Sequence, residues 1–143
     1  MFSIKTSLTY LLISASLIVG CSSDSEIIPD VSFSSRIYIN DPLYSDNPFI
    51  VTRDGNNEIV GNAGVLVYRA SNSEYYAFDL MCTHEKSRSS LVEITDGATC
   101  TCPDCGSVYI IVTASSSIAK GPAKWPLKSY QCSVNGDYLY IYN

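Results

Sequence analysis

From Arg36 to the C-terminus, apolar and polar positions alternate in short runs, and no stretch repeats with the 3.6-residue period of a helix. Eight segments carry this strand-like pattern: RIYIN (36–40), PFIVTR (48–53), GVLVYRA (64–70), EYYAFDL (74–80), GATCTC (97–102), SVYIIVT (107–113), LKSYQCSV (127–134) and DYLYIYN (137–143). Their Val, Ile, Tyr and Thr suit a pleated, half-buried surface. Asn135-Gly136 separates two alternating runs and predicts a tight hairpin; Asp54-Gly55 and Asp96-Gly97 carry the same preference. In the last run Leu139 and Ile141 fall on one face and Tyr138, Tyr140 and Tyr142 on the other. We read that tyrosine row as a half-buried sheet face with wet hydroxyls rather than as a stacking surface for sugars or bases. The pattern predicts an all-β domain over residues 36–143, built of small antiparallel sheets with a sandwich- or barrel-like base.

Upstream the pattern changes. Lys5 precedes an apolar run from about Leu8 to Gly20, too short to span a bilayer and of the length of a signal-peptide core. The run ends in Ile18-Val19-Gly20-Cys21, and a small residue immediately before a cysteine resembles the lipobox of bacterial lipoproteins. That resemblance implies a signal peptide at 1–20, an acylated Cys21 as the mature N-terminus, and a membrane-anchored protein of the bacterial cell envelope, on its periplasmic or surface face. Residues 21–35 are Ser-rich, with acids at Asp24, Glu26 and Asp30, and read as a flexible tether. The remainder suffices for one domain. The net charge is −5 and the nine Lys and Arg are scattered, which argues against nucleic acid as a partner.

Candidate chemistry is concentrated in two places. Cys82-Thr83-His84 follows one strand-like run, and Cys102-Pro103-Asp104-Cys105 follows another, with 17 residues between His84 and Cys102. That separation suits a hairpin that brings two ligand-bearing loops face to face. His84 is the only histidine, and no nucleophile–base pair presents itself, so a self-contained catalyst is not the expectation. Cys100 and Cys102 lie two apart and share a face. Cys132 lies in the run before the final hairpin, and a Cys100–Cys132 disulfide is expected if the sulfurs approach.

The two loops resemble those of the Rieske iron–sulfur family, whose first loop reads Cys-Thr-His and whose second reads Cys-Pro-x-His-Gly-Ser followed by x and an aromatic. The present chain has CTH at 82–84 and CPDCGSVY at 102–109, and GPAKWPL at 121–127 is similar to the family's proline loop. The resemblance implies a two-loop subdomain, spanning about 82–109, that binds a [2Fe-2S] cluster. Cys82 and Cys102 would hold one iron, and His84 and the residue at 105 the other. Ser107 and Tyr109 match hydroxyl positions that bond to the sulfurs. The chain departs from the family at Cys105, where the second histidine would stand. The implied ligand set is three thiolates and one imidazole, with a lower reduction potential than two histidines give. The implied function is a tethered one-electron carrier with a redox partner protein. Two other outcomes remain open at this level, given an oxidising address. The same four residues are a structural zinc set. Alternatively, disulfides within Cys102–Cys105, or from Cys82 to one of them, would leave a non-redox envelope lipoprotein on a degenerate scaffold.

Overall fold

The computed structural model describes residues 27–143, so the expected signal peptide and Cys21 lie outside the described residues. Strands follow in chain order as β1 (Ser34–Tyr38), β2 (Phe49–Val51), β3 (Val65–Arg69), β4 (Tyr75–Asp79), β5 (Glu93–Ile94), β6 (Thr99–Thr101), β7 (Val108–Ile110), β8 (Ser117–Lys120), β9 (Ser129–Asn135) and β10 (Tyr138–Tyr142). Among the described residues a single 3-10 turn, Pro42–Tyr44, is capped by Asp41, whose side chain accepts the Leu43 N–H at 2.9 Å. The strands form a six-stranded sheet in the order β1-β10-β9-β4-β3-β2 and a four-stranded sheet in the order β5-β6-β7-β8; all the pairings are antiparallel. The all-β expectation therefore holds.

The large sheet curls into a half-barrel. Its edge strands contribute Ile37 (β1) and Phe49 and Val51 (β2) to one core, shared with Val65, Val67, Ala77, Leu139 and Ile141 from the strands between. Alternation explains what the other face does. Leu66 and Phe78 point out of the half-barrel, yet both are fully buried, in a second core with Val92, Cys100, Tyr109 and Ile111 of the small-sheet side. β3 and β4 thus form a wall buried on both sides, which is why their sequences run nearly continuously apolar.

The final hairpin forms as expected, one residue further on. Asn135 pairs with Tyr138, so Gly136 and Asp137 are the turn, with Gly136 at φ +59° in the position that suits glycine. The Tyr138, Tyr140 and Tyr142 row lies opposite the buried Leu139 and Ile141, with Arg36 stacked on Tyr138.

Residues 28–35, read from composition as tether, are fastened to the body. Ile28 is only 3% exposed. Asn62 Nδ2 donates to the Pro29 carbonyl at 2.9 Å, and Lys128 Nζ pairs with Asp30 at 2.8 Å. Asn143 Nδ2 donates to Asp30 Oδ1 and, at 2.9 Å, to the Val31 carbonyl. Of the polar side chains that suggested a tether, Asp30 is the one that makes these bonds, to Lys128 and Asn143 near the chain's other end.

Candidate metal centre

The two ligand loops are built alike. In the first, the Lys86 amide donates to the Cys82 carbonyl at 2.8 Å; in the second, the Gly106 amide donates to the Cys102 carbonyl at 2.8 Å. Each loop turns through a left-handed residue at the same place, Lys86 at φ +54° and Gly106 at φ +72°. Glycine occupies that region freely, whereas lysine is strained there. The winding turns two amides onto each inner sulfur: those of Glu85 and His84 onto Cys82, and those of Cys105 and Asp104 onto Cys102. Each loop's cysteine N–H is also tied, Cys82 to the Ser90 carbonyl at 3.0 Å and Cys102 to the Ser107 carbonyl at 2.8 Å.

The loops face one another, and the sulfurs of Cys82, Cys102 and Cys105 all lie within 4.8 Å of one another. Cys82 and Cys102 are fully buried in the second core, and Cys105 is half-buried at its rim. His84 stays outside this group. Its side chain is 44% exposed, and its Nε2 lies 3.9 Å from Glu85 Oε1. Three of the four expected ligands are thus together, and the imidazole sits at the rim on the loop that carries Cys82.

Hydroxyls line the sulfurs. Tyr109 OH lies 3.4 Å from Cys82 Sγ and 3.0 Å from Thr83 Oγ1, and Thr83 Oγ1 donates to the Trp125 carbonyl at 2.6 Å. Ser107 Oγ accepts from Cys105 Sγ and from the Ala123 amide, each at 3.1 Å. The second of these bonds and the Thr83–Trp125 bond fasten the loop at 121–127 over the site. Leu127 N–H, donating to the buried Ser116 Oγ at 2.7 Å, fixes its far end. Gly121, at φ +104°, passes so close that a Cβ there would lie 2.4 Å from Ser107 Cα.

The environment separates the thiols. Burial disfavours charge on Cys82, but hydrogen bonds from Tyr109, from the Glu85 and His84 amides and from Cys102 outweigh it and lower its pKa. Burial pushes Cys102 up to about 12. In the metal-free site Cys82 is therefore the first of the two to become a thiolate. Burial, followed by the nearby Cys82 charge, pushes Cys100 up to about 12, and burial alone pushes Cys132 to about 11.

The expected Cys100–Cys132 disulfide is not formed. Both thiols are free, and they belong to different cores: Cys100 to the second, Cys132 to the rim of the first. The wall of β3 and β4 stands between the cores, a separation that strand faces alone do not reveal. Both residues act as small hydrophobes.

Sequence reasoning placed Thr83 and Gly121 inside its motifs without giving them a role, and it missed Asp79. The Asp79 carboxylate is fully buried at the end of β4. It accepts from Asn62 N–H at 2.9 Å, Asn62 Nδ2 at 3.1 Å, Tyr130 OH at 2.6 Å and the Met81 amide at 2.8 Å. It thereby ties the half-barrel to the residue before Cys82. The available signal was a charged residue interrupting an apolar run immediately ahead of a ligand.

A largely buried cluster of convergent thiols, two loops of matching build and a covering loop define a small β-domain that could hold a thiophilic metal centre. The family model for the Rieske [2Fe-2S] domain matches residues 44–131, and the chain belongs to that family. No curated protein and no solved structure matches the chain. The residues present fit the group the family implies. The sulfurs converge without an intervening side chain, and amides and hydroxyls are already aimed at them, as an anionic sulfur-rich centre requires.

Proposed function

We propose that this protein is a lipid-anchored one-electron carrier of the bacterial cell envelope, held to the membrane by acylated Cys21 and exchanging electrons with a redox partner protein. Cys82, Cys102, Cys105 and His84 would hold the [2Fe-2S] cluster, which when bound supplies the one-electron centre. The convergence of three sulfurs within 4.8 Å carries the reading.

The chain's own residues divide the work. Cys82 and Cys102 lie in the second core and keep water from their sulfurs. Cys105 and His84 lie at the rim, and the exposed imidazole marks the side from which electrons enter and leave. Tyr109 OH, beside the Cys82 sulfur, would donate a hydrogen bond that favours the more negative, reduced state, and Ser107 Oγ, which accepts from the Cys105 thiol, would turn donor once that thiol is deprotonated on the metal. Cys105 in place of a second imidazole adds negative charge and opposes them. The expected potential falls below about −150 mV, the lower end of the range for centres with two histidines.

The test is metal analysis of protein purified from its own envelope. Two irons and two acid-labile sulfides per chain, with an EPR signal on reduction, support the reading; colourless protein with neither overturns it. One distance favours a second reading. Cys82 and Cys105, which would serve different irons, have sulfurs 3.6 Å apart. Thiolates on one tetrahedral zinc stand about 3.8 Å apart, given Zn–S bonds of about 2.3 Å. In that case the same analysis returns one zinc.

A further inference from the structure

Beside the covering loop lies a cavity of about 490 Å³. One wall is the start of the described chain, Ile27 and Ile28. The other is Thr83, between two of the expected ligands, with Trp125 and Pro126 of the covering loop. Trp125 is the chain's only tryptophan and is 53% exposed, although its carbonyl is held by Thr83. The protein's N-terminal segment therefore arrives at the end of the domain that carries the metal centre.

That route has a consequence for orientation. Six residue steps separate Ile27 from Cys21, and even fully extended they span only about 20 Å. A folded body of this size is roughly 35 Å across. A lipid on Cys21 cannot reach round to the opposite end, so the end bearing the centre stays next to the bilayer. Charge permits it. The chain as a whole carries −5, yet among the described residues this end exposes Lys86, Arg88, Lys120 and Lys124 against Glu85, Asp104 and Asp30, the last of them paired with Lys128. Asp24 and Glu26 add two acids to the sequence between Cys21 and Ile27. Exposed basic residues beside an exposed indole suit the anionic headgroup layer, where tryptophan prefers to sit.

We infer that the face formed by Trp125, Pro126 and the rim of the first ligand loop rests on the lipid headgroup layer, so that the metal centre faces the membrane and its electron partner is reached at the membrane surface. The occupant of this face is the lipid surface itself. The inference rests on the acylation of Cys21 proposed above.

Because Trp125 is the only indole, its fluorescence reads this face directly. The full chain, lipidated in a bacterial host, is reconstituted into vesicles of phosphatidylcholine and phosphatidylglycerol. It is compared with the Cys21→Ser chain free in solution at matched metal content. The expected result is blue-shifted emission, quenching by lipids brominated at the headgroup end of the acyl chains, and acrylamide quenching reduced about threefold, as for an indole moved into the interface. A chain that carries lipid by mass and floats with the vesicles, but leaves Trp125 as open to acrylamide as in Cys21→Ser, overturns the orientation and assigns the face to a protein partner. A chain that carries no lipid on Cys21 overturns the anchor reading, and this inference with it.

Discussion

Tyr109 is fully buried, and its hydroxyl sits between Cys82 Sγ and Thr83 Oγ1. Burial, and then the hydrogen bond to Cys82, hold its own pKa well above the usual 10.0, so at neutral pH it keeps a proton to offer the sulfur. Tyr109→Phe removes a bond that lowers the Cys82 pKa. In metal-free protein the pH profile for alkylation of Cys82 is expected to move to higher pH, and a profile that stays in place would show that the amides alone set the thiolate. At this scale the sequence was legible wherever a motif carries meaning: Cys82, Cys102 and Cys105 follow from their intervals, and Ser107 and Tyr109 from the resemblance of the second loop to the Rieske pattern. Thr83 was illegible because its partner, Trp125, lies 42 residues away. The Cys100–Cys132 expectation failed because a shared strand face says nothing about which of two cores that face covers.

Among the elements, the covering loop depends most on a single residue. Gly121 combines a left-handed backbone with contact on Ser107, so Gly121→Ala meets both backbone strain and a collision with Ser107 Cα. Its expected cost is about 2–4 kcal/mol if the loop holds its place. If the loop lifts instead, denaturant stability changes little while Trp125 emission changes. Denaturation followed by Trp fluorescence distinguishes the two, and a variant altered in neither would show that the contact is slack. Every strand with clear alternation was readable. β5 and β8 were not: β5 is two residues long, and Ser117–Lys120 offers only Ile118 as a half-buried apolar position. Edge strands gain their register from the neighbour, here Tyr109 and Ile110 of β7, more than from their own pattern.

At the scale of the molecule, the N-terminal segment and the C-terminus are clasped through Asp30. Its carboxyl is held below the usual 3.8, first by the hydrogen bond from Lys128 and then by that from Asn143. A carboxylate with a depressed folded pKa contributes fully above its unfolded value and loses that contribution as pH falls through the folded one. The clasp is therefore intact at neutral pH and loosens only as pH falls below the usual 3.8. Asp30 and Trp125 line the same cavity, so the release is expected as a change in Trp125 emission over that range, absent in Asp30→Asn. An identical transition in Asp30→Asn would assign it to another group. The wall formed by β3 and β4 has a consequence for protein engineering. Because Leu66 and Phe78 complete the dry lining of the metal loops while Val65, Val67 and Ala77 fill the half-barrel, no cut in the chain frees one half without stripping the other. A transplant of the loops alone into a foreign scaffold would arrive without its floor, and any working chimera must carry this hairpin along.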